Sequence, residues 1–155
     1  GRTAVDMSVD TTSRLSEISN IIGIKDATGD LSVIKELVAK CPEDFLLLTG
    51  DDATAIDFLL LGGNGGISVT ANVTPRELQK AYLAAIAGNT ELAKKLNEGL
   101  SGLHKNLFIE SNPIPVKWAL HRMGVCDRGI RLPLLELSNE CKTVLENDLK
   151  ELNLI

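Results

Sequence analysis

Lys25 closes the apolar run Ile21-Ile22-Gly23-Ile24-Lys25. A primary amine drawn out of water favours its neutral form, and a neutral amine attacks ketones and aldehydes to give a Schiff base. The plainer alternative is a strand-end lysine whose methylenes cover apolar surface while the ammonium stays in water. Spacing by itself favours the plainer reading. The other chemistry-bearing residues offer less. Asp51 and Asp52 are adjacent carboxylates with no further ligands nearby in sequence, and His104 and His121 lack companions at metal-ligand spacing. The histidines are read as surface or packing residues, and no metal site is expected. Gly62-Gly63-Asn64-Gly65-Gly66 is glycine-rich, but no Lys-Ser/Thr follows it as a phosphate loop requires, so it reads as a tight turn. Trp118 sits at core spacing.

A lysine on a strand end needs a sheet to carry it. The run 21–25 is β-branched and is followed by the turn Ala27-Thr28-Gly29-Asp30. Asp30 is a good N-cap for a helix over Leu31–Lys40, with Val33, Ile34, Leu37 and Val38 on one face and Cys41-Pro42 ending it. The pattern then recurs. A buried strand over 45–49 stops at Gly50-Asp51-Asp52, a short helix covers 53–61, and a third strand spans 66–69. Thr74 and Pro75 open the next helix as N-cap and first helical residue, and another short helix is expected over 11–19. Strands apolar on both faces, each followed by a helix, describe a parallel α/β sheet.

The repeat length suits an eight-fold βα barrel, yet three units cannot close one. An open three-stranded sheet of this composition leaves apolar edges bare. The expectation is therefore a piece of a barrel, formed by residues 1–88. Residues 89–155 read as a helical region packed on it, with helices over 90–108, from Asn112-Pro113 to Gly124, and from a Ser138 cap to about Leu152.

The 155 residues are 44% apolar and 24% charged, the mix of a globular protein rather than a disordered tail. No apolar run approaches the roughly 18 residues of a membrane span. A net charge of −5 and 3% aromatic residues argue against a nucleic-acid surface. Cys41, Cys126 and Cys141 show no paired spacing, which reads as reduced thiols in a cytoplasmic setting. The first residues, Gly-Arg-Thr-Ala-Val-Asp, contain neither an initiator Met nor a leader. A processed chain or a portion of something longer is expected.

Five stretches carry a resemblance: Ile22-Gly23-Ile24-Lys25-Asp26-Ala27-Thr28-Gly29-Asp30, Thr49-Gly50-Asp51-Asp52, Gly65-Gly66-Ile67-Ser68-Val69-Thr70-Ala71-Asn72, Asn112-Pro113-Ile114-Pro115-Val116-Lys117 and Leu132-Pro133-Leu134. In that order they are similar to the dihydrodipicolinate synthase and N-acetylneuraminate lyase family. The resemblance spans essentially the whole chain and matches the C-terminal half of a (β/α)8 barrel. It implies that Lys25 forms a Schiff base with pyruvate, so that no separate cofactor is needed. Gly50 and Ile67 would lie against the substrates, and Asp51 would meet the aldehyde, unless it is only a turn residue or a helix cap. Gly1-Arg2-Thr3 resembles the synthase branch, in which the arginine binds a substrate carboxylate; a two-pronged guanidinium suits that task. A solvated terminal arginine is the alternative.

The implied reaction condenses pyruvate with aspartate semialdehyde in lysine biosynthesis. A sibling keto-acid aldolase such as an N-acetylneuraminate lyase, or a non-catalytic half-barrel subunit, remains open. Further implications are a missing N-terminal half that supplies the proton-relaying hydroxyls, and a homotetramer. Neither nucleic acid nor membrane is expected as a partner.

Overall fold

The computed structural model describes residues 4–155. Three short strands, β1 (Gly23–Asp26), β2 (Leu46–Thr49) and β3 (Gly65–Gly66), form one parallel sheet in the order β1-β2-β3. Helix α1 (Val9–Ser16) precedes the sheet, and α2 (Leu31–Lys40) and α3 (Ala55–Leu60) connect its strands. A 3-10 turn over Thr70–Asn72 leads to α4 (Pro75–Ile86). Four helices follow: α5 (Thr90–Glu98), α6 (Ser101–Asn106), α7 (Ile114–Arg122) and α8 (Asn139–Glu151).

The local signals explain the boundaries that matter. The Asp30 carboxylate accepts from the Ser32 N–H at 2.8 Å and starts α2 where expected. Ser138 caps α8 in the same way, its Oγ accepting from the Cys141 N–H. Thr74 precedes α4, but its hydroxyl does not cap: Oγ1 is buried with no hydrogen-bond partner, and Pro75 begins the helix. The expected helix over 90–108 is two helices, broken where Gly99 and Leu100 leave the helical path. There Leu100 turns into the core, fully buried.

The strands are shorter than expected and are not apolar-buried on both faces. Along β2, Phe45, Leu47 and Thr49 are buried, while Leu46 is 40% exposed and Leu48 only half-buried. The period of two is that of a sheet covered on one side. The covering side is a cluster of Ile34, Leu37, Phe45, Leu47 and Phe58 beneath α2 and α3, with Ile24 against it. Val38, expected on that buried face of α2, is exposed at its rim. Ladder partners Lys25, Leu48 and Gly65 lie in one row on the opposite, open face.

Two further clusters cross residue 88. Ile56, Leu59, Ala81, Ala84, Ala85 and Ala93 join α3, α4 and α5. Val73 packs with Leu103, Leu107, Val116, Leu145 and Leu149 from α6, α7 and α8. The helical region thus shares its core with the sheet region. Among the described residues no helix is long and apolar enough to cross a membrane.

Candidate active site

Lys25 stands near the C-terminal end of β1, one residue from the strand's close. Its register partner is Leu48, and the β2 backbone turns away immediately beyond, at Gly50. The Gly50 N–H donates to the Asp26 carbonyl at 2.6 Å, which holds the two strand ends together. A β-carbon on Gly50 would lie 2.3 Å from Lys25 Cε and 2.9 Å from Ala27 Cβ. Glycine is therefore what lets the lysine chain cross the end of β2. Lys25 itself is exposed. It shares this open face of the sheet with the exposed side chains of Leu46 and Ile67, as the plainer reading of a strand-end lysine anticipates.

Beyond Gly50 lies a cleft of about 940 Å³. Ala27 and the β2 loop from Gly50 to Ala53 form one wall, and His104, Phe108 and the segment leading to Asn112 form the other. Asp51 borders this cleft but is committed locally: its Oδ2 accepts from the Thr54 N–H (3.0 Å) and hydroxyl (2.7 Å), at the start of α3. Gly29 adopts a φ of +71°, a left-handed conformation that suits glycine in the turn facing Asp51. Ile67 is 55% exposed, and its N–H donates to the Thr49 carbonyl, extending the β3 ladder by one bond. The structure thus brings Lys25, Gly50 and Asp51 to one end of the sheet and puts Ile67 on the neighbouring strand end. Arg2 lies outside the described residues.

Sequence spacing gave no sign of a second feature behind the cleft. Asp52 is buried, and its Oδ2 accepts from the backbone N–H groups of Val69 (3.0 Å) and Thr70 (3.1 Å). The Thr70 hydroxyl sits 3.3 Å from the same oxygen and 2.9 Å from His104 Nδ1. His104 Nε2 meets Asn97 Oδ1 at 3.0 Å. Burial pushes the His104 imidazole below its usual range, against the opposing pull of the Asp52 and Asp51 charges. Tyr82 is held upward, chiefly by burial and further by those two carboxylates. His104 is a packing histidine, as expected, but one built into a polar chain. The members lie on four separate elements, so no local motif could have revealed it. Among the described residues no group of three or more His, Cys, Asp or Glu side chains is placed to hold a metal ion.

Comparison with known proteins gives the same picture of kinship. The chain is 58% identical over 154 residues to the 4-hydroxy-tetrahydrodipicolinate synthase of Ruthia magnifica subsp. Calyptogena magnifica, covering 99% of this chain and 52% of that protein. It is 57% identical over 155 residues to the enzyme of the same name from Laribacter hongkongensis, covering 100% of this chain and 53% of the relative. The chain therefore spans about half the length of the curated relatives it matches. Its fold superimposes with a TM-score of 0.94, at 50% identity, on the crystal structure of the chloride-inhibited dihydrodipicolinate synthase of Acinetobacter baumannii complexed with pyruvate. That match covers 97% of this chain and 52% of the other. The sequence model of the Dihydrodipicolinate synthetase family matches residues 1–152, and the chain, a three-stranded α/β portion of that family's barrel, belongs to this family.

Proposed function

We propose that this chain is the C-terminal half of a pyruvate-condensing lyase of lysine biosynthesis and carries its nucleophile, Lys25. The observation that bears most weight is the placement of the Lys25 side chain across Gly50, at the strand end that opens into the cleft. Active sites of βα barrels gather at that end. In this reading the Lys25 amine adds to the ketone carbon of pyruvate and water leaves, giving an iminium. The iminium draws electrons from the methyl carbon, which loses a proton and becomes an enamine. The enamine carbon then forms a carbon–carbon bond with the aldehyde of aspartate semialdehyde, and cyclisation through the substrate's own amine releases Lys25. No cofactor takes part. Gly50 and Ile67 present backbone beside the substrates, Asp51 lies at the aldehyde end, and Arg2 holds a substrate carboxylate.

The same reading explains the open face of the sheet. Leu46, Leu48 and Ile67 expose apolar surface beside Lys25, and the remaining barrel strands would cover it. They would also desolvate the amine, so activity requires that other half. A homotetramer of complete barrels in the cytoplasm is the assembly proposed.

Reductive trapping tests this. Pyruvate and borohydride are added to the chain alone and to its complex with the half that completes the barrel, followed by intact mass and peptide mapping. A reduced adduct on Lys25 in the complex is the expected result. Folded protein with no adduct in either sample would remove the catalytic assignment and favour a structural half-barrel subunit.

A further inference from the structure

The cleft has two walls from different parts of the chain. The β2 loop supplies Asp52, and α6 supplies His104. No hydrogen bond found here joins those two side chains directly; Thr70 stands between them. Its hydroxyl is 2.9 Å from His104 Nδ1 and 3.3 Å from Asp52 Oδ2, and the residue is fully buried. Asn97 Oδ1 can only accept, so Nε2 carries the proton of the neutral ring and Nδ1 accepts the single proton of the Thr70 hydroxyl, while the Thr70 N–H holds Asp52. The Thr70 and Val69 N–H groups bind the same Asp52 oxygen, which fastens the turn after β3 to the β2 loop. At the far end Asn97 holds the imidazole from α5. In a buried setting such a chain is costly to interrupt, because each remaining polar atom loses its partner.

We propose that Thr70 is a positioning residue for the cleft: its N–H holds the β2 loop through Asp52, its hydroxyl holds α6 through His104, and together they set the spacing of the two walls. The assignment rests on the aldolase reading of Lys25. The Lys25 chain crosses at Gly50, which itself lines the cleft, and in the proposed reading the partner in the condensation enters between these walls. The tie therefore governs the second substrate. It leaves the first step alone, since imine formation at Lys25 uses neither Thr70 nor His104.

Two substitutions at one position separate this role from mere stability. Thr70→Val keeps the side-chain shape and removes the hydroxyl, whereas Thr70→Ser keeps the hydroxyl. Both are studied in the complex of this chain with the half that completes the barrel, beside the unsubstituted complex. Borohydride-trapped pyruvate adduct on Lys25, steady-state condensation and Tm are measured for each. Adduct formation is expected within about twofold of the unsubstituted complex in both variants, while Thr70→Val raises the KM for the aldehyde about tenfold and Thr70→Ser restores it. Equal aldehyde KM in all three proteins overturns the assignment, as does a parallel fall of adduct, condensation and Tm in Thr70→Val. Absence of adduct in the unsubstituted complex overturns the aldolase reading instead, and the assignment with it.

Discussion

Lys25 occupies the space that a side chain on Gly50 would need: a β-carbon there would sit 2.3 Å from Lys25 Cε. The two residues belong to adjacent strands whose ends are joined by the Gly50 N–H bond to the Asp26 carbonyl. One residue type at position 50 therefore decides whether the lysine chain can cross the end of β2.

Gly50→Ala should separate folding from reactivity. Lys25 Cε is the far end of a flexible side chain and can swing aside, but Ala27 Cβ, at 2.9 Å, is fixed to its backbone, which must shift. Tm should fall modestly while the fold is kept. The lysine chain no longer crosses Gly50, and on the proposed reading trapped pyruvate adduct in the completed barrel should fall at least about tenfold. An adduct yield equal to that of the unsubstituted protein would remove the positional role of Gly50.

Stability should depend on pH through His104. Burial lowers its folded-state pKa beneath the ordinary value of 6.5, so below that value the unfolded chain binds more protons than the folded one. Stability is therefore complete above about pH 6.5 and declines as pH falls from there towards the folded-state pKa. Urea midpoints measured from pH 7.5 to pH 5 should drop, and His104→Asn should flatten that part of the dependence. The substituted amide cannot titrate. An unchanged slope in the variant would assign the pH effect to other groups.

Ser138 holds the first turn of α8 through the Cys141 N–H. Ser138→Ala leaves that donor to water and should cost about 1 kcal/mol in urea unfolding, with the fold unchanged. A loss several times larger would mean that the residue does more than cap the helix.

Leu103 is wholly buried in the cluster that joins the turn after β3 to α6, α7 and α8. Leu103→Ala should lower unfolding free energy by about 2–5 kcal/mol, the range for a truncated core leucine. Because His104 is its neighbour on α6, chemical shifts of the His104 ring should also move. Unaltered ring signals would show that the polar chain is held independently of this core.

Much of the frame was legible because its signals are local. Asp30 and Ser138 sit one residue before their helices and act through their own hydroxyl or carboxylate on the next turn. Lys25 could be singled out because a charged residue ending an apolar run is visible in sequence. What failed also has a local explanation. Thr74 has the type of a cap, but its hydroxyl is buried without a partner. The run 90–108 has continuous helical periodicity, yet the helix is interrupted at Gly99 and the buried Leu100. The strands looked apolar on both sides because an apolar residue reads the same in sequence whether its face is covered or open.

The sequence by itself determined the α/β alternation and the starts of α2 and α8, which depend on residues within a few positions of one another, and the family resemblance, carried by five short stretches in order, which singled out Lys25 as the candidate nucleophile. Tertiary structure alone decided that Gly50 makes way for Lys25, that Leu48 and Gly65 share its row, and that Asp52, Thr70, His104 and Asn97 form one buried chain. These relationships join residues far apart in the chain. They arise from strand register and helix packing, where hydrogen-bond geometry and excluded volume act between segments that carry no mark of each other in sequence.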